Sequence, residues 1–111
     1  MGPIFKEGEK MISQALLEKY LVTELGVTGG MLLMMMDKIK KYNDIYDEFC
    51  YWLEKRNYDR ENPIVVNGYT AKQIHQLNPK FEGIGVYNFL ITLRENPERA
   101  EEYIKNGFKE M

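Results

Sequence analysis

Apolar residues recur at three- and four-residue steps early in the chain, at Ile12, Leu16, Leu17, Tyr20, Leu21 and Leu25. A helix with one buried stripe produces that period, so a first helix is predicted over about residues 9–25. Gly26 stands where a left-handed C-cap belongs. The segment Val27 to Gly30 can then turn the chain, with Thr28 placed to cap the next helix. Thr28-Gly29-Gly30 also admits a phosphate-cradling reading, but no Gly-Lys-Ser/Thr follows it and no strand precedes it.

A longer pattern comes next. Leu32, Met35, Ile39, Tyr42, Tyr46, Phe49 and Leu53 alternate steps of three and four, as in an a/d seam. They predict one helix over about residues 31–57, folded back antiparallel on the first as a helical hairpin. Met34, Met36, Ile45, Cys50, Tyr51 and Trp52 lie off the seam, so the apolar surface is wider than one partner helix covers. That width makes Met34, Met36, Tyr51 and Trp52 candidate protein-interface residues, although aromatics at helical spacing more often build core.

Beyond about residue 57 the period stops. Pro63 bars a helix, Ile64-Val65-Val66 favours extended backbone and Asn67-Gly68 signals a turn, which together read as a loop with at most one short strand. Thr70 and Gln73 have capping-box spacing and open a helix over about 70–77, which Asn78-Pro79 ends. A further helix spans about 83–95, with Val86, Phe89, Leu90 and Leu93 inward. Asn96-Pro97 starts a last one over about 97–105, closed by Asn106-Gly107. The predicted fold class is all-α, a flexible tail at 1–8 followed by a single small domain over 9–111.

Composition agrees with that size: 111 residues, 44% hydrophobic and 29% charged, suit one core. A net charge of -2 supplies no bulk attraction to phosphate. The single Cys50 sits in an apolar helical run and has no disulfide partner, which points to a buried thiol in a reducing cytoplasm. The longest unbroken apolar run, Met31 to Met36, is far short of the ~20 residues that span a bilayer, so no membrane association is expected.

Candidate chemistry is sparse. The order of elements over 70–95 resembles a helix-turn-helix, and if it met DNA, Asn88 and Arg94 would reach bases or phosphates and Lys72 and Lys80 phosphates. Against this, Lys72, Lys80 and Arg94 face Glu82 and Glu95 in that stretch, and phosphate affinity comes from uncompensated cations. Its second helix would expose mainly Tyr87, Asn88, Ile91, Thr92 and Arg94. Lys38, Lys40 and Lys41 are likewise offset by Asp37, Asp44 and Asp47, the pattern of a solvated, salt-bridged face. One His75 and one Cys50 offer neither metal-ligand spacing nor an evident nucleophile–base pair, and no catalytic, cofactor or metal residue is predicted.

The segments NGYTAKQI and GVYNFLITLRENPERAEEYIKNGF, within about the last 45 residues, resemble a C-terminal module of small proteins from gut-dwelling Gram-positive bacteria and their mobile elements. That resemblance implies a bacterial, cytoplasmic setting and carries no activity. The resulting expectation is a non-enzymatic helical protein acting through protein–protein contact, with a homodimer as one form. The alternative is a small DNA-binding regulator.

Overall fold

The computed structural model describes residues 14–109. Six helices carry this stretch and no named strand occurs among the described residues, so the fold is all-α. The expected tail at 1–8 and the start of the first helix lie outside the described residues. The chain divides between Arg56 and Asn57 into two compact units.

Unit one holds three helices. Helix α1 covers 14–24, regular over 14–19 and wound as a π-helix over Tyr20–Glu24. The wider turn coincides with Thr23, whose hydroxyl donates to the Lys19 carbonyl at 2.6 Å and so competes with the backbone ladder. Gly26, at φ +67°, turns the chain out as its position in the sequence requires. Thr28 occupies the N-cap of α2 (Gly29–Ile39), although its side chain makes no capping bond.

The single helix expected over 31–57 is two helices. α2 ends at Ile39, Tyr42 is extended at φ -115° and ψ 118°, and α3 runs Asn43–Lys55. The reason is legible in the charges. Lys38, Lys40 and Lys41 complement the carbonyl end of α2, while Asp44 sits in the first turn of α3 and accepts from the Ile45 amide at 2.8 Å. Cations at a C-terminus beside an anion at an N-terminus mark a helix boundary, each interaction contributing about 0.3–1 kcal/mol. The same residues looked like a salt-bridged face when one continuous helix was assumed.

The break also changes the pairing. Gln14 accepts from Lys40 at 3.4 Å, Tyr20 meets Phe49 and Trp52, and Glu24 binds Arg56. Both partners advance together along the chain, so α1 and α3 run parallel, with α2 as the return segment between them. The expected two-helix antiparallel hairpin is therefore a three-helix arrangement. Its core is aromatic: Tyr20 lies edge-on to Phe49 at 5.8 Å and to Trp52 at 5.5 Å, with Leu17, Leu21, Ile39 and Ile45 fully buried. Arg56, left-handed at φ 59°, ends α3 and stacks its guanidinium over Trp52 at 4.7 Å while reaching Glu24.

Unit two begins with a loop. Val66 and Tyr69 exchange backbone bonds of 2.8 and 3.0 Å around Asn67 and Gly68, both at positive φ, the conformation an Asn-Gly hairpin turn requires. The lone extended segment thus finds its partner three residues on. The Asn67 side-chain amide donates to the Leu93 carbonyl, tying this turn to the helical part of the unit.

Helix α4 (Ala71–Leu77) opens with the predicted capping box: the Gln73 amide donates to the Thr70 hydroxyl at 3.2 Å and the Thr70 amide to the Gln73 side chain at 2.9 Å. Helix α5 (Ile84–Glu95) contacts both α4 and α6 (Pro97–Lys105). Asn96 caps α6 by accepting from the Arg99 amide at 3.5 Å, with Pro97 at the first helical position.

Candidate functional site

Three features of the fold bear on function: helix α5, an aromatic cleft beside it, and the outer face of α2. Helix α5 would be the reading helix of a helix-turn-helix. In this fold Ile84, Val86, Tyr87, Phe89, Leu90, Ile91 and Leu93 are all buried, and Gly85, Asn88, Thr92 and Arg94 are part-exposed. Tyr87 and Ile91, expected on the exposed face, are among its most deeply buried residues. A groove-reading helix needs one open side, whereas the short Asn96 connection brings α6 against α5 and α4 covers another part. Asn88 and Arg94 are only part-exposed, and Lys72 forms an ion pair with Asp59 at 2.7 Å. Lys80 remains exposed.

What α5 does border is a cleft of about 510 Å³, within the range of small-molecule sites. Phe81, Phe89 and Phe108 form its apolar part, with ring centroids 5.2 to 5.7 Å apart. Local backbone explains how a residue beyond α6 reaches this cluster. Gly107 and Phe108 both take positive φ, and the Phe108 amide donates to the Tyr103 carbonyl at 2.7 Å, folding the chain back after the helix. Gly85 leaves the Phe81 side open, since a Cβ there would lie 4.0 Å from that ring.

The polar part comes from Asn88, Thr92, Arg99 and Tyr103. The Thr92 hydroxyl is already used, donating to the Asn88 main-chain carbonyl at 3.2 Å. The Asn88 side chain is not. Its Oδ1 is buried and lacks any hydrogen-bond partner. Asn88 is a DNA candidate in the sequence, whereas Phe81, Arg99, Tyr103 and Phe108 become site residues only through the fold. Two signals were available: single aromatics in otherwise polar turns, and one carboxamide in the apolar run GVYNFLITL.

On unit one, the candidate interface divides. Met34 is 67% exposed, and Met31 at 58% and Leu33 at 65% join it on α2. Met36 and Trp52, by contrast, are 8% and 4% exposed, and Tyr51 is half-buried. Met36 and Trp52 are thus corrected from surface to core. The break after Ile39 re-aims Trp52, whereas Met36 precedes it and turns inward on α2 itself, one turn from the buried Ile39. Leu16, Val22 and Leu25 on and after α1 are further exposed apolar side chains.

The reactive side chains serve packing. Cys50 is buried in α3, and burial, together with that neighbouring thiol, pushes the Tyr46 phenol far above its ordinary range. His75 stacks on Tyr58 at 4.8 Å and its Nδ1 bonds the Phe81 carbonyl at 2.7 Å, while the Tyr58 hydroxyl accepts from the Gly83 amide at 2.8 Å. Among the described residues no group of three His, Cys, Asp or Glu side chains is placed to hold a metal ion. No helix among them is long and apolar enough to cross a membrane. The chain matches no family model, no curated protein and no solved structure.

Proposed function

We propose that this protein acts without catalysis, through protein–protein contact made by the outer face of α2, and that a second copy of the chain is the simplest partner. One observation carries the reading: Met31, Leu33 and Met34 stand exposed together on a helix whose first eight residues, Gly29 to Met36, contain no charge. Clustered apolar exposure marks interaction surfaces, and methionine adapts its flexible side chain to irregular partners. An uncharged face can meet its own copy about a two-fold axis without repulsion. The buried thiol of Cys50, which forms no disulfide, supports a reducing, cytoplasmic setting.

Light scattering on the full chain at high micromolar concentration tests this. A dimeric mass is expected, reverting to monomer in the double variant Leu33→Glu, Met34→Glu. A strictly monomeric wild type sinks the dimer. A DNA role is tested by gel shift at ~50 mM salt, where phosphate contacts count most and no retardation is expected.

A further inference from the structure

The cleft beside α5 contains two polar groups that the fold does not use. A buried carboxamide without a partner is costly, and structural positions in an apolar helix are met more cheaply by Leu. Asn88 nevertheless occupies such a position, between Tyr87 and Phe89, with its Oδ1 buried and unbonded. Among the described residues no protein group bonds the other end of that amide either, which leaves its Nδ2 as a free donor at the cleft wall. The second group is Arg99. Its main-chain amide is taken by the Asn96 cap, but its exposed guanidinium has no carboxylate partner among the described residues.

The Arg99 guanidinium and the Asn88 Nδ2, both donors without a partner among the described residues, stand at an aromatic pocket and define the chemistry of what fits. The buried Oδ1 is an acceptor and takes no part in it. Guanidinium groups favour carboxylates through charge-assisted, often paired hydrogen bonds. The three phenylalanines favour a flat apolar body, which packs against ring faces and edges. A volume of about 510 Å³ admits one such group and excludes a folded domain. We infer that unit two is a binding site for a carboxylate attached to an aromatic group, the ring lodging among Phe81, Phe89 and Phe108 and the carboxylate accepting from Arg99 and Asn88. The same chemistry is offered by a free aromatic acid and by a peptide ending in phenylalanine. This inference uses unit two alone and stands apart from the contact proposed for α2.

The test is an amide-resolved NMR titration of the full chain with 3-phenylpropionate, its neutral amide and propionate. Saturable shifts confined to residues 81–108 are expected with 3-phenylpropionate, with the neutral amide binding about tenfold or more weakly for want of the charge-assisted bond. Arg99→Gln should produce the same loss and Arg99→Lys should retain part of the affinity. Because Arg99 is exposed, neither variant threatens folding. Asn88→Leu should weaken the acid by removing the Nδ2 donor. An acetylated Gly-Phe peptide, with and without its free carboxylate, separates the two sources. If only the peptide acid binds, the ligand is a chain terminus; if the free acid binds as well, it is a small molecule. No saturable shift with any of these acids at millimolar concentration, or equal binding of acid and amide, would overturn the inference.

Discussion

The two units differ in where their structure comes from. In unit two, α4, α5 and α6 begin and end where short-range signals place them: Thr70 with Gln73, Asn78 before Pro79, Asn96 before Pro97. In unit one the apolar period runs unbroken through the boundary between α2 and α3, and it predicts an antiparallel partner for α1 where α3 runs parallel to it. A cap is decided within four residues, whereas the partner of an apolar seam is decided by which other helix arrives. The apolar seam from Leu32 to Leu53 reads as continuous, yet the backbone between Ile39 and Asn43 is not helical. Hydrophobic period alone is therefore a weaker guide than capping chemistry wherever the two compete.

That contrast can be broken experimentally. The largest effect should come from the aromatic core that holds unit one together. Phe49→Ala removes a fully buried ring packed on Tyr20 and Trp52, and should cost about 3–5 kcal/mol in urea-induced unfolding. A loss below ~1 kcal/mol would show that α1 and α3 are not joined through this ring.

In unit two, where local signals dominate, Thr70→Ala should cost about 1 kcal/mol by removing the hydroxyl that accepts from the Gln73 amide. Amide exchange across α4 is the sharper readout. Protection should fall in its first turn and stay unchanged in α6.

An effect of similar size and opposite sign is expected at Asn88. Replacing it with Leu removes the buried, unbonded Oδ1 and should raise stability by about 1 kcal/mol. Destabilisation would mean that the amide serves the fold, and would remove the reason for assigning it to a ligand.

The smallest effect concerns the pair that closes unit one. The hydrogen bond from Arg56 holds the Glu24 carboxyl below its ordinary value of 4.5, assisted by the Arg56 and Lys19 charges and opposed by slight burial. A carboxyl whose folded-state pKa is depressed contributes stability above its unfolded value. That contribution is lost as pH falls through the lowered folded value. The pair is half exposed, so solvent screening limits it to about 0.2–1 kcal/mol. Glu24→Gln should therefore lower stability slightly at pH 7 and flatten its decline below about pH 4.5. An identical acid profile in the variant would show that Arg56 acts through Trp52 and Tyr20 alone.

The candidate sites follow the same division. Asn88 was visible as an odd residue in an apolar helix, but Phe81 and Phe108 belong to different turns, and only the fold shows them sharing a cluster. Arg99 is, in the sequence, one cation on a charged helix, and only the fold sets it at this cleft. Met34 and Met36 both lie on α2, but on different faces: Met34 points out, and Met36 shares the inward face with Ile39. Trp52 follows the break, and its direction depends on which face α3 turns inward.

Helix content, the four caps at Gly26, Thr70, Asn96 and Gly107, and the hairpin turn at Asn67-Gly68 were all set locally. They rest on backbone conformations and hydrogen bonds that close within a few residues, so neighbouring sequence suffices to specify them. The parallel course of α1 and α3, the burial of α5 on nearly every side and the gathering of three phenylalanines around Asn88 were decided only when the helices packed. Those features depend on contacts between residues far apart in the chain, and many helix pairings bury a given apolar stripe about equally well until shape and charge select one.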